Sequence, residues 1–270
     1  MQGTALSTSR TPAATSTDDE PAATLARLAH SYGRTAVAPD ERSRRIRAIF
    51  AAIAPGYDRA NDWMSLGLHR RWKDRLAVRV EVSGGAVLDL AGGTGDVAAR
   101  VRRRGAGLVV NADASEPMLR VDRSRHAHRS VVVATAEALP LASDGLAAVT
   151  LAFGLRNFTS PLDALTEIRR VLRPGGRLHL LEFSRPVWWL RPFYRALSAW
   201  LLPLLGGLVT GRPAAYRYLA QSIDAFPDAT AVAAALEQAG FRVREVELLA
   251  FGIAAIHVAE RPRDEAACTP

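Results

Sequence analysis

The run Asp89-Leu90-Ala91-Gly92-Gly93-Thr94-Gly95-Asp96 sets three glycines between two carboxylates, directly after a short apolar stretch. Glycines so spaced bring backbone N–H groups close to a ligand and leave a helix N-terminus facing it. Gly93, Gly95 and Ala98 also fit the dinucleotide pattern G-x-G-x-x-G/A, with Asp113 standing 20 residues after Gly93, where a ribose-binding carboxylate belongs. The acids discriminate between the ligands such a loop can take. Asp89 and Asp96 oppose a pyrophosphate, whereas carboxylates favour the sulfonium and ammonium charges of S-adenosyl-L-methionine. Asp113, ending the next strand, can accept from both ribose hydroxyls, and the Thr135-Ala136 segment follows the third strand. The cofactor reading is therefore S-adenosyl-L-methionine, at a loop that carries Asp89, Gly93 and Gly95 and faces Asp113. The plainer alternative makes the glycines a tight turn and the acids helix caps. A nicotinamide enzyme is disfavoured, since nothing downstream supplies an acid/base set for hydride transfer.

The elements that must position these residues alternate. Short apolar runs at 86–90, 108–111, 131–134, 147–152 and 177–182 read as buried strands, and 96–104, 116–126 and 161–172 as the helices between them. Asp96 is expected to cap its helix, and Pro174-Gly175-Gly176 is a sharp helix stop. A helix at 229–240 precedes a closing hairpin, 241–248 with 251–259. Upstream, Ile46, Ile49, Phe50 and Ile53 mark an amphipathic helix over 42–54, followed by a loop through Pro55-Gly56 and a helix carrying Trp72, Leu76 and Val80. The pattern predicts an α/β fold with a seven-stranded, mostly parallel sheet flanked by helices, and a ligand beyond the carboxyl ends of the strands.

Composition narrows the class. The 270 residues are 49% hydrophobic and 23% charged, as in a water-soluble globular domain. The only cysteine is Cys268, which excludes disulfides and cysteine metal clusters and fits a cytoplasmic setting. No His/Asp/Glu cluster at ligand spacing appears, so no metal is expected. The formal charge of +8 is carried almost wholly by Arg, and the runs Arg102-Arg103-Arg104 and 120–129 read as solvated helix faces, with no nucleic-acid motif beside them. Residues 1–40, rich in Ala, Thr, Ser, Pro and Asp, are expected to be a disordered extension without a signal peptide. A single domain follows at 41–262, with an N-terminal helical lid at 41–82, a substrate-side helical insertion at 184–225, and a flexible tail at 263–270.

Longer strings sharpen this reading. IFAAIAPGYDRANDWMSLGLHRRWK, VLDLAGGTGD, AEALP, FGLRNF, EIRRVLRPGGRLHLLEFSRP and YRYLAQSIDAFPD, spread over 46–258, make the chain resemble the UbiE-type ubiquinone/menaquinone-biosynthesis C-methyltransferases. The loop and the PGG turn are common to many methyltransferases; the FGLRN string and the pairing of Y-D-x-x-N with Ser65-Leu66-Gly67 are far more specific. The resemblance implies a Rossmann-like class I S-adenosylmethionine-dependent methyltransferase that methylates a ring carbon of a prenylated quinol. Demethylmenaquinol is the leading acceptor, a polyprenyl methoxybenzoquinol the second, and another aromatic natural product the third. By position it puts cofactor contacts on Thr94, Asp113 and Thr135-Ala136. The family often has Asn at Thr135 and Ser at Ala152, so Ala152 is assigned no role.

Such chemistry needs alignment of two reactants and an electron-rich carbon. Arg156 is the candidate to stabilise a phenolate, Asn157 to orient a hydroxyl or water, and Tyr57 with Asp58 to close over the substrate, Asp58 doubling as a candidate base. The plain readings are a salt bridge for Arg156, lid packing for Tyr57 and a helix cap for Asp58. His69 reads as a packing histidine, and Glu182 as either a site carboxylate or a buried structural one. Segment 187–209 carries three Trp with Phe193 and Tyr194, and Arg191 and Arg195 interleaved. It is a candidate for peripheral contact with the inner face of a membrane, a groove for the prenyl tail, a buried helix or a homodimer surface.

Overall fold

In the computed structural model, which describes residues 20–33, 35–126 and 130–263, the chain opens with α1 (Glu20–Leu28) and the two-stranded hairpin β1 (Ser31–Tyr32) and β2 (Thr35–Ala36). Next come α2 (Pro39–Ile53), α3 (Tyr57–Ser65) and α4 (Leu68–Val78). The alternating part follows: β3 (Val87–Leu90), α5 (Asp96–Arg103), β4 (Val109–Asp113), α6 (Glu116–Arg125), β5 (Val131–Val133), β6 (Leu146–Ala152), α7 (Pro161–Val171) and β7 (Leu172–Phe183). Helices α8 (Arg191–Thr210), α9 (Pro213–Ala225) and α10 (Ala229–Gln238) lead to the closing strands β8 (Arg242–Leu249) and β9 (Ala254–Glu260).

The sheet runs β5-β4-β3-β6-β7-β9-β8, parallel except where β9 pairs antiparallel with β7 and β8. This is the seven-stranded, mostly parallel sheet expected from the alternation. Strands β3, β6 and β9 read as near-continuous apolar runs because both of their faces are covered. Val87 joins a core with Trp72, Leu76, Val97 and Val101 on one face, while Leu88 and Leu90 join Leu25, Ile168 and Leu236 on the other. Strand order reverses beside β3, so the crevice at its carboxyl end is where a ligand belongs.

Three local expectations need correction. The segment from Glu20 to Ala36 is not an unstructured extension: α1 sends Leu25 and Leu28 into the core, against α7 and α10. Two leucines in a run of Ala and Thr gave too little periodicity to predict that. Residues 1–19 and 34 of that expected 1–40 extension, and 264–270 of the expected tail, lie outside the described residues, and α2 begins within the extension at Pro39. Between Pro55-Gly56 and the Trp72 helix, the polar stretch from Tyr57 forms α3, ended by Leu66 and Gly67, both left-handed (φ 49° and 75°). Asp96 does not cap α5; Gly95 holds the cap position, and Asp96 turns to side-chain cations instead.

Candidate active site

The glycine loop lies at the carboxyl end of β3, along one wall of a cavity of about 380 Å³. Beneath it is a polar floor. Asp89 is fully buried, with Thr150 Oγ1 donating to Oδ1 (2.8 Å) and the Ala98 N–H to Oδ2 (2.8 Å), so one carboxylate ties β3 to β6 and to α5. Burial pushes its pKa up to about 7, against those two hydrogen bonds. Asn111 Nδ2 donates to Asp122 (2.8 Å) and to the Gly93 carbonyl (3.3 Å). Gly92 rests directly on this floor: a Cβ there would stand 2.3 Å from Asn111 Oδ1 and 2.6 Å from Asp89 Oδ2. Glycine is needed at that position by close approach alone.

Asp113 reaches the cavity from the end of β4, accepting from the N–H groups of Gly93 (3.0 Å) and Ser115 (2.7 Å). Burial raises its pKa to about 6 in spite of those donors. Thr135 and Ala136, held in a tight turn by the Ala138 N–H on the Thr135 carbonyl (3.3 Å), line the same wall. Burial opposes ionisation of Asp96, but Lys73 (3.0 Å) and Arg100 outweigh it and hold the carboxyl well below the usual range.

Helices α2 to α4 line the other side. Asp58 binds Thr94 Oγ1 (3.0 Å) and the Arg125 guanidinium. Its two oxygens are thus engaged with the glycine loop and with α6, and it stands outside the cavity lining, as does Gly95. Asp58 is neither a cap nor placed as a base; it links α3 to the glycine loop. Tyr57 does line the cavity, edge-on to Phe50 with ring centroids 6.1 Å apart. His69 also reaches the lining, its Nδ1 2.8 Å from Ser65 Oγ, and burial followed by the charge of Lys73 lowers its pKa to about 4.

The FGLRN string forms a single 3₁₀ turn, Leu155–Asn157, after β6. Arg156 is buried there against Glu182 of β7, its guanidinium carbon 5.0 Å from the centre of the Phe183 ring. Burial raises the pKa of Glu182 and Arg156 opposes the rise. The turn itself is gripped by Arg42 of α2, also buried, which donates to the carbonyls of Ser31 (2.7 Å), Phe158 (2.5 Å) and Arg156 (2.6 Å). Asn157 lines the cavity beside Tyr218 of α9.

One cavity therefore collects Asp89, Gly93, Thr94, Asp113, Thr135, Ala136, Tyr57, Arg156 and Asn157. Arg42, Lys73 and Tyr218 were not singled out from sequence. Lys73 and Arg42 look like surface cations on Arg-rich helices, and only the YRYLAQS string pointed toward Tyr218.

Residues 38–261 match the ubiE/COQ5 methyltransferase family. The chain belongs to that family. It is 46% identical to the ubiquinone/menaquinone biosynthesis C-methyltransferase UbiE of Rubrivivax gelatinosus, over 90% of this chain and 96% of that protein. It is 45% identical to the demethylmenaquinone methyltransferase of Thermus thermophilus, over 79% of this chain and all of the relative (100%). It is 38% identical to the mitochondrial 2-methoxy-6-polyprenyl-1,4-benzoquinol methylase of Caenorhabditis elegans, over 86% and 85% of the two chains. In fold it resembles a methyltransferase of Haloferax volcanii solved with its Trm112 activator (TM-score 0.59, 19% identity, 79% of this chain and 98% of that one). The expected methyltransferase fold and activity class hold. The methyl donor of such an enzyme is S-adenosyl-L-methionine, and the loop suits it. Asp89 and Asp113 set two carboxyls against the loop, and the nearby Lys73 is already paired with Asp96, which leaves a pyrophosphate poorly served.

Proposed function

We propose that the chain methylates a ring carbon of a prenylated quinol, demethylmenaquinol first and a polyprenyl methoxybenzoquinol second. One observation carries the reading. Arg156 lines the cavity, its guanidinium fixed at Nη1 by the Phe153 carbonyl (2.8 Å) and by Glu182. A guanidinium fixed in this way at the cavity wall is a ready partner for an oxyanion of the acceptor. With Glu182 balancing the net charge, Arg156 offers a directed donor to a phenolate and so raises electron density on the neighbouring carbon. Bound S-adenosyl-L-methionine supplies an electrophilic methyl group. The protein's part is alignment, which can contribute up to about 7–11 kcal/mol. Asp113, Thr94, Thr135 and Ala136 hold the cofactor; Asn157 orients the acceptor's oxygen; Tyr57 and the lid exclude water.

The far wall of the cavity is apolar, built from Phe50, Ile53, Met64, Leu201, Leu219 and Ile223, as a prenyl tail requires. Helix α8 separates this wall from the outside. Tyr194, Ser198 and Leu201 face inward, Leu197 both lines the cavity and is exposed, and Phe193, Trp200, Leu204 and Leu208 form an exposed apolar stripe, continued by Trp188 and Trp189. No helix among the described residues is long and apolar enough to cross a membrane. We infer that the stripe rests in a membrane interface, where the tail of the acceptor resides.

Incubation with demethylmenaquinol and cofactor, read by mass spectrometry, should give a quinone heavier by one methylene unit; no methylated product from either quinol refutes the assignment. Liposome co-sedimentation should fall in Trp188→Ala/Trp200→Ala, and equal pelleting of wild type and variant removes the membrane role. Dimer loss in the same variant would assign the stripe to a second copy of the chain.

A further inference from the structure

We propose that Tyr218, on α9, is a positioning residue for the methyl transfer: its phenol fixes the amide of Asn157 that addresses the acceptor. The inference rests on the quinol reading above and names a part of that site from outside the glycine loop and the FGLRN turn.

The orientation of the amide is decided by its neighbours. Asn157 Nδ2 lies 3.3 Å from the carbonyl oxygen of Phe153, which can only accept, so that end must be the NH₂ group. Oδ1 then faces Tyr218 at 3.2 Å, and the phenol must donate. Burial raises the phenol's pKa, so its proton is retained at working pH. One N–H is spent on Phe153 and Oδ1 on Tyr218; the second Nδ2 hydrogen remains for the acceptor's oxygen. Removal of the phenol O–H takes away the contact that holds Oδ1 and leaves the amide on the long bond to Phe153 alone, freer about its last torsion.

The rest of the geometry holds Tyr218 itself. Its ring is buried and stacks on Tyr32 of the N-terminal hairpin, with centroids 4.5 Å apart and planes 16° apart. Arg45 of α2 lies 5.4 Å from the centre of the Tyr32 ring. Arg42, one turn earlier on α2, grips the carbonyls of Arg156 and Phe158 on either side of Asn157, and the carbonyl of Ser31 beside Tyr32. The segment from Ser31 to Arg45 therefore fixes Asn157 twice, through its backbone by Arg42 and through its amide by the stacked Tyr218.

Tyr218→Phe in the full chain removes one oxygen and keeps the stack. Assayed with demethylmenaquinol, it should lower kcat about tenfold, the loss of roughly one hydrogen bond's worth of alignment. KM for the cofactor and Tm should stay at wild-type values. In the Asn157→Ala background the same change should have no further effect. Wild-type kcat in Tyr218→Phe overturns the proposal, and so does an undiminished tenfold loss in the Asn157→Ala background, which would mean that the phenol meets the acceptor itself. The side-chain amide resonances of Asn157, followed by ¹⁵N NMR without any acceptor, test the contact separately. Tyr218→Phe should shift and broaden them, and unchanged resonances overturn the proposal. Should the wild type methylate neither quinol, the quinol reading falls while the NMR result still decides the role of Tyr218.

Discussion

Arg156→Met and Glu182→Gln break the same buried ion pair from opposite ends, and the two variants should answer differently to pH. Both side chains are nearly inaccessible, at 3% and 1% exposure. Removing one partner of such a pair costs about 3–5 kcal/mol, because the survivor is left as an uncompensated buried charge. In Glu182→Gln the survivor is a guanidinium, which cannot shed its proton, so the cost at this site does not vary with pH. In Arg156→Met the survivor is a carboxyl whose pKa burial already raises and which no longer has its opposing cation. A folded pKa above the unfolded value gives stability that is fully present below the unfolded value, 4.5 for Glu, and lost as pH rises through the folded one. The Met variant should therefore lose up to about 1.4 kcal/mol per pH unit between about pH 5 and its folded pKa, while the Gln variant stays flat at this site. Other groups titrate alike in both, so the difference between the two variants is the readout. Urea unfolding curves without cofactor, at about pH 5, 6.5 and 8, measure it. Parallel pH profiles for the two variants, or losses below about 1 kcal/mol in both, refute the buried pair as described.

Asp113→Ala should abolish cofactor binding by calorimetry, and unchanged affinity disproves the ribose assignment. Because burial raises Asp113 to about 6, the free protein keeps this group's stabilisation below the unfolded value of 3.8 and loses it as pH rises through about 6; the ionised form then accepts the ribose. Cofactor affinity should consequently weaken below about pH 6, by at most tenfold per unit, and flat affinity between about pH 7 and 5 refutes this. Asp58→Ala unlinks α3 from the glycine loop and should raise the cofactor KM several-fold with kcat and overall fold retained; an unchanged KM rejects the link. Gly92→Ala drives a methyl group into Asn111 and Asp89 and should destabilise by about 1–3 kcal/mol or more, while thermal melts matching wild type would show that the floor can yield.

Much of the molecule was legible because its signals are local. Strand β3, the glycine loop and α5 follow from an apolar run, glycines and a helix pattern within adjacent residues, and the β8–β9 hairpin from two apolar runs near its end. Helix α1 was not legible, because Leu25 and Leu28 acquire meaning only against α7 and α10, which arrive far later in the chain. Helix α3 was missed because its polar run leaves few apolar residues to report a period.

The sequence alone determined the alternating sheet, the acidic glycine loop and the residue types available at its rim. Those depend on backbone propensity and side-chain charge, which neighbours in sequence decide. What each rim residue is bound to was decided by tertiary structure. Asp58 is spent on Thr94 and Arg125, Arg156 is balanced by Glu182, and Arg42 grips the turn around Asn157 across the interior. A carboxylate or guanidinium has the same chemistry anywhere in the chain. Whether it serves as base, latch or anchor depends on the partners that folding brings within hydrogen-bond reach and on how far it removes them from water.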